Sequence, residues 1–285
     1  MPSICILTDS TAQFPTPIFE GRETVNMMAL HLVLDGRRYE FGEGVKTSDL
    51  PKSALNGPTM KVEAPSIDEF QVRFQQLGQV YDSIVAVLHA GSLTPTVAHA
   101  QEAAKRLEGQ VEVIVIDCGT TALGLGILIQ EASAAALEGQ EAGEIELLVR
   151  SLMPQVYSVF AIPSLSYLQQ AGYLNYSQAY VGEYLKVLPV YVLDQGELTP
   201  TQKARNYRQL VDVLHEFLWE FPHLEHIGIL QGAPPFETET RALRERIAED
   251  FPNTSISEHI IGAPLATLIG PHSLGLFVKQ LGEIV

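Results

Sequence analysis

Basic residues, cysteines and long apolar runs are all scarce in this chain. It carries 18 Lys and Arg against 34 Asp and Glu, a formal net charge of −16 over 285 residues. A nucleic-acid partner needs a basic face, and none is legible, so no nucleic-acid ligand is expected. Docking on an anionic membrane surface is disfavoured for the same reason. No apolar run reaches the ~18 residues that mark a membrane span, so no stable membrane insertion is expected. No leader is legible ahead of the strand at Ile4, and the expected location is the cytoplasm. Cys5 and Cys118 lie in or beside apolar runs and read as small buried thiols.

Several signatures of common chemistry are missing too. No Gly-x-Gly-x-x-Gly or Walker loop appears, which removes the two usual nucleotide sites. No Gly-x-Ser-x-Gly elbow supports a serine hydrolase. An aspartyl-phosphate phosphatase would want a second Asp two residues after Asp9, where Thr11 stands. His31, His99, His215, His223, His226 and His259 form no ligand spacing, so no metal is expected.

What is present is one event repeated three times. Ile4-Cys5-Ile6-Leu7 runs into Thr8-Asp9-Ser10-Thr11. Ile84 to Leu88 runs into His89-Ala90-Gly91-Ser92-Leu93-Thr94-Pro95-Thr96, and Val113 to Ile116 into Asp117-Cys118-Gly119-Thr120-Thr121. Short strands apolar on both faces belong to a parallel sheet covered by helices. Ligands of such sheets bind beyond the carboxyl ends of the strands. Three hydroxyl-rich strand ends therefore converge on one polar site.

The fold class expected is α/β: an N-terminal parallel-sheet α/β domain over residues 1–153, then an α+β domain over 154–285 with a mixed or antiparallel sheet. The first half alternates strand and helix, which implies right-handed crossovers. Thr24 to Leu34 reads as extended, and Asp35-Gly36 as a turn returning through Arg37 to Glu40. Thr47 to Leu55 reads as a short helix. Ser66 and Glu69 make a capping box for a helix whose apolar positions are Ile67, Phe70, Phe74 and Leu77. Further helices are expected from Pro95 to Leu107, over Leu123 to Leu137 (apolar all round and so buried) and over 142–151. The second half offers strands at Tyr157–Ile162, Leu188–Leu193, His226–Gln231, Ser255–Ile261 and Leu274–Val278. It offers helices at Ser164–Gln170, Gln202–Trp219 and Glu237–Phe251.

Thr94-Pro95 is the sharpest local signal. Thr94 can cap a helix that Pro95 opens, and the free amides and dipole of that N-terminus favour an anion. Ser92, Thr94 and Thr96 would assist; the bland alternative is a cap and a solvent-facing hydroxyl. Ser10 and Thr11 either contribute hydroxyls to the crevice or merely cap the turn after the first strand. His89 and His272, with Ser273 beside the latter, can each donate to an anion, although a single His is more often simply packed.

The order of these segments resembles the DegV family of bacterial fatty-acid-binding proteins over nearly the full length. Thr8-Asp9-Ser10-Thr11-Ala12 matches its opening Thr-Asp-Ser-Thr-Ala. Pro65-Ser66 falls at its Thr-Ser-Gln-Pro-Ser, and Leu93-Thr94-Pro95-Thr96 at its Leu-Ser-Gly-Thr. Leu165-Ser166-Tyr167-Leu168 is similar to the segment before its Gly-Gly-Arg. Leu188-Pro189-Val190, Asp194-Gln195-Gly196 and Arg205 are similar to its Lys-Pro strand, Asp-Gly turn and following Arg. Gly270-Pro271 with Gly275-Leu276-Phe277 resembles its closing Gly-Pro-Gly strand. Departures stand at Val62, in place of a Thr, and Glu63. Others are His89-Ala90, in place of a Ser pair, and Leu268 or Ile269, in place of a His. Leu188 replaces the Lys, and Ala171-Gly172-Tyr173 replaces Gly-Gly-Arg.

The resemblance implies a carrier and not a catalyst. A long-chain fatty acid is its ligand, no cofactor is needed, and a fatty acid kinase is the implied partner, a link weakened by Tyr173. The expected ligand residues are Ser10, Thr11, His89, Ser92, Thr94, Thr96, His272 and Ser273, with no catalytic and no metal residues. Apolar residues around Phe160, Ile162, Leu165, Leu168 and Leu188 are tail-lining candidates. Two other readings stand beside it. One is an enzyme acting on a small acyl or anionic substrate, with Ser10, Ser92 or Ser273 as nucleophile and His89 or His272 as base. The other is a regulatory module whose lipid is a structural filler.

Overall fold

The computed structural model describes residues 3–40, 44–55 and 57–282. In chain order its first elements are β1 (Ile4–Asp9), β2 (Val25–Met28), β3 (His31–Leu34), β4 (Arg37–Glu40), β5 (Met60–Glu63), α1 (Ile67–Leu77), β6 (Ser83–Leu88), α2 (Thr96–Arg106), β7 (Glu112–Asp117), α3 (Ala122–Leu137) and α4 (Ala142–Leu152). There follow β8 (Val156–Ala161), α5 (Leu165–Gln170), α6 (Tyr176–Tyr184), β9 (Leu188–Asp194), β10 (Glu197–Ala204), α7 (Tyr207–Leu218), β11 (Leu224–Gln231), α8 (Glu237–Asp250), β12 (Ser255–Ile260), α9 (Ala263–Ile269) and β13 (Leu274–Gln280).

The alternating first half builds a four-stranded parallel sheet in the order β2-β1-β6-β7. Its central strands are apolar on both faces. Ile4, Ile6, Val85 and Val87 pack under α3 and α4, while Cys5, Leu7, Ile84 and Ala86 pack with Phe70, Phe74 and Ala100 of α1 and α2. Burying each such side chain contributes about 1.5–3 kcal/mol. Burial also pushes both thiols up, Cys5 to about 11. Strand β7 departs from the two-faced pattern: it is an edge strand, and Val113, Ile114 and Val115 are half-buried. The capping box is present, with Ser66 Oγ accepting the Glu69 N–H at 3.2 Å and Glu69 Oε2 accepting the Ser66 N–H at 2.8 Å.

The second half forms a six-stranded mixed sheet, β10-β9-β8-β13-β11-β12, in which β11 and β12 are parallel. The expected α/β-plus-α+β architecture is therefore present. Helix α3 joins the two layers, packing on β1 and β6 and also on β8 and β13. That explains why it is apolar all round. Gly126 lets the loop after β1 approach α3 closely, since a Cβ there would fall inside contact distance of the Gln13 carbonyl.

A third sheet, β4-β3-β5, is antiparallel and packs on α9. Asp35 and Gly36 both have positive φ, as a type I′ hairpin turn requires. The Thr24–Leu34 stretch is thus two strands in two different sheets. Thr47–Leu55 is no helix beyond a 3-10 turn at Thr47–Asp49. Pro51 interrupts it, and the chain continues as a strap: the Tyr167 hydroxyl donates to the Pro51 carbonyl (2.6 Å) and Ser164 Oγ to the Lys52 carbonyl (2.7 Å). Helix α7 starts at Tyr207 and not at Gln202. Gln202 to Ala204 pair with β9, and Asn206 caps the helix by accepting the Gln209 N–H. Strands β5 and β10 and helices α6 and α9 were not expected. β5 alternates charge, α6 has tyrosines along an exposed face, and Pro264 opens α9 within a strand-like apolar run.

Candidate ligand site at the strand ends

The parallel register of β1 on β6 runs from Ile4↔Ser83 to Leu7↔Ala86, which brings Asp9 beside the Leu88-His89 step. Asp9 is fully buried and surrounded by donors. Its Oδ1 accepts the Thr11 N–H (2.9 Å) and the Thr11 hydroxyl (2.6 Å). Its Oδ2 accepts the His89 N–H (2.8 Å) and lies 2.9 Å from His89 Nδ1. Burial alone would raise the Asp9 pKa. The His89 charge and the bonds from His89 and Thr11 outweigh burial, and the pKa ends below its ordinary value.

His89 Nε2 lies 2.7 Å from Thr94 Oγ1, which lies 2.7 Å from Thr96 Oγ1. A buried line Asp9–His89–Thr94–Thr96 therefore crosses from β1 to the first turn of α2. The cap differs in detail from expectation: Pro95 is the N-cap residue and the helix opens at Thr96, whose N–H reaches Thr94 Oγ1 at 3.4 Å. The network fixes the 89–96 loop and holds the α2 N-terminus.

Other expected residues lie apart from this line. Ser10 Oγ accepts the Leu30 N–H at 2.9 Å, and the Thr11 hydroxyl is committed to Asp9. Ser92 Oγ donates to the Gly196 carbonyl in the β9–β10 turn. Ser273 Oγ donates to the Ile269 carbonyl at 2.7 Å. His272 is half-buried, and burial together with the Lys52 charge lowers its pKa. Among the described residues no hydrogen bond joins Ser10, Ser92 or Ser273 to His89 or His272.

Leu93, carried on the same loop, helps line a cavity of about 160 Å³. Its other walls are Met60, Lys61 and Val62 of β5, Gln170 and Ala171 at the end of α5, and Thr267 and Leu268 of α9. Val62, Leu93 and Leu268 belong to an apolar cluster that continues inward through Phe160, Ile162, Leu165 and Leu168. Leu188, also expected there, packs on the opposite side of the six-stranded sheet, among the α7 residues Leu210 and Leu214. The polar wall atoms are engaged: Gln170 Oε1 accepts the Met60 N–H (2.8 Å), and Thr267 Oγ1 donates to the Ala263 carbonyl (2.8 Å). Lys61 is the cation of the lining and is exposed.

Known proteins share this fold. The family model described as "Uncharacterised protein, DegV family" matches residues 3–280. The chain belongs to the DegV family. A DegV domain-containing protein of Listeria innocua is 25% identical over 280 residues, covering 96% of this chain and 97% of that one. A DegV family protein from Thermus thermophilus, described by its fatty acid binding, superimposes with a TM-score of 0.84 at 25% identity, covering 99% and 100% of the two chains. The Streptococcus pneumoniae Fatty Acid Kinase (Fak) B3 protein loaded with linoleic acid has the same fold, with a TM-score of 0.83 at 18% identity, covering 98% and 100%.

Against the DegV pattern, the departures gain positions. Val62 and Leu268, where the resemblance puts a Thr and one of two places for a His, both face the 160 Å³ cavity. Tyr173, where it puts an Arg, donates its hydroxyl to the Ser92 carbonyl at 3.2 Å. Sequence reading passed over Asp9, Lys61 and Gln170 as site residues. The available signal for Asp9 was a His ending a buried strand, which needs a partner from the neighbouring strand end.

Proposed function

We propose that this protein binds and carries a long-chain fatty acid without transforming it, in the cytoplasm and without a cofactor. The observation that carries the reading is the cavity between β5, α5, α9 and Leu93, which has an exposed Lys61 on its wall and borders, through Val62, Leu93 and Leu268, the apolar cluster of Phe160, Ile162, Leu165 and Leu168. The Thermus relative described by its fatty acid binding supports it.

The tail occupies the cluster and supplies the affinity. Each buried methylene contributes roughly 0.8 kcal/mol, so a dozen give about 10 kcal/mol before the costs of association and ordering. The cavity of about 160 Å³ is smaller than the ~300–1,000 Å³ of typical ligand sites, so the walls part to admit the chain. The carboxylate lies at the polar end, with Lys61, the Ser92–Thr96 loop and the α2 N-terminus around it. His89 and Asp9 hold that loop in place. His272 and Ser273 serve, if at all, from the α9–β13 side.

A fatty acid kinase remains the class of partner for the loaded carrier. With Tyr173 tied to Ser92 instead of an Arg side chain, that encounter is weaker than in a relative bearing the Arg. One observation favours an acyl-transfer enzyme, the order Asp9–His89–Thr94. Thr94 is buried and its hydroxyl is engaged on both sides, which argues against it.

Calorimetric titration with a C16 acid, the matching alcohol and a C6 acid tests the reading. The expected order is the long acid tightest, the alcohol weaker, and the short acid unbound. Equal binding of the short acid, or none of the long acid, would overturn it.

A further inference from the structure

A second cavity, of about 560 Å³, lies among the strap, the end of α6 and the start of α7. It shares no lining residue with the cavity at Val62. Three cations line it: Lys52 from the strap, Lys186 from the α6–β9 link and Arg205 just before α7. Among the described residues none of the three takes part in an ion pair. In a chain of net charge −16, three unpaired cations around one concavity form a local positive focus against the general field.

The one acid in the lining offsets at most one of the three charges. Glu183 turns its carboxylate to the protein, with Oε2 accepting from Ser53 Oγ (2.5 Å) and Oε1 from the Ser166 N–H (2.7 Å). The first turn of the twelve-residue helix α7 adds its dipole at Asn206 and Tyr207, which also line the cavity.

Lys186 occupies an unusual backbone position for its residue type. It follows α6 with φ +51°, in the left-handed region. Its N–H bonds the Glu183 carbonyl, and the Val187 N–H bonds the Gly182 carbonyl at 3.0 Å. This is the closing turn at which glycine is the favoured residue. A lysine meant only to complement the α6 dipole would serve as well one residue earlier, at exposed Leu185, without that backbone cost. A strained lysine at the rim of a cationic cavity points to use of its ammonium group.

We propose that this cavity binds a small soluble ligand bearing a diphosphate or comparable multiply charged phosphate group, held by Lys52, Lys186, Arg205 and the α7 N-terminus. The volume lies within the ~300–1,000 Å³ range of small-molecule sites. Arg205 belongs to the motif order shared with the DegV family, whereas Lys52 and Lys186 lie outside it. The site does not depend on the fatty-acid reading.

Calorimetry of the full chain with pyrophosphate at low salt tests the site. One molecule is expected to bind, with affinity falling as salt rises. Lys186→Gly and Arg205→Ala are each expected to weaken binding roughly three- to tenfold, the size of one charge contact. Lys186→Gly also relieves the left-handed backbone, so its thermal midpoint is expected to hold or rise, which separates lost binding from lost folding. No binding at millimolar pyrophosphate, or undiminished binding by Lys186→Gly, would overturn the site. Binding to vesicles of anionic lipid without binding to pyrophosphate would overturn it as well, assigning the cations to a lipid surface.

Discussion

Replacing Asp9 by Asn removes one negative charge from a fully buried position and leaves the side-chain shape unchanged. The carboxylate now accepts from the Thr11 N–H, the Thr11 hydroxyl and the His89 N–H, and contacts the His89 ring at 2.9 Å. An amide has one acceptor oxygen. Whichever way it turns, its NH2 group faces either the Thr11 donors or the His89 donor. Removing one member of a buried, hydrogen-bonded charge pair costs about 3–5 kcal/mol. That is a large share of the ~5–15 kcal/mol that holds a typical domain. Urea unfolding reads it as a lower midpoint at unchanged slope. The sign with pH also follows. The folded pKa of Asp9 lies below its unfolded value of about 3.9, so its stabilisation is present above that pH and is lost as pH falls through the folded value. Asp9→Asn cannot lose it, so the gap between wild type and variant narrows progressively as pH falls below about 4. A loss under about 1 kcal/mol at neutral pH, or a gap of the same size at pH 3 and pH 7, would show that Asp9 does not stabilise the fold as a buried carboxylate.

Three further perturbations have stated outcomes. Val62→Thr puts a hydroxyl on the cavity wall where the DegV resemblance has one, and is expected to tighten fatty-acid binding by roughly fivefold, one modest hydrogen bond, with no gain for the alcohol of the same length. Gly126→Ala drives a Cβ into the Gln13 carbonyl and is expected to cost about 1–3 kcal/mol, read by the thermal midpoint. Burial, helped by His259 and Lys279, lowers the His226 pKa to about 4. The unfolded chain takes up that proton near its ordinary value of 6.5, so native stability falls as pH drops from about 6.5 to about 4, and His226→Gln flattens that limb of the urea midpoint profile.

The parts of the fold legible in the sequence were those whose pattern arises locally. The strands at Ile4, Ile84 and Val113 announce themselves by apolar runs, and Ser66 with Glu69 fixes a helix start. Gln202–Ala204 read as helix because their polar residues suit a helix surface, yet pairing with Leu188–Val190 overrides that weak preference. Helix α6 was invisible because Tyr176, Tyr180 and Tyr184 stack along an exposed face, the reverse of the usual buried stripe. For the candidate site, the strand-end rule singled out His89 and Thr94 but not what they touch. Asp9 meets His89 across 80 positions of sequence, and Lys61 meets Leu93 only because β5 folds back on α9. Such pairings are set by tertiary packing, which no local pattern encodes.

A carrier of this kind must hold an acyl cargo. Native mass spectrometry of the purified full chain, followed by solvent extraction and lipid analysis, tests it most directly. The expected result is a discrete mass excess released as a long-chain fatty acid, or its appearance after incubation with one at one molecule per chain. A chain that carries no lipid and takes up none when offered would contradict it.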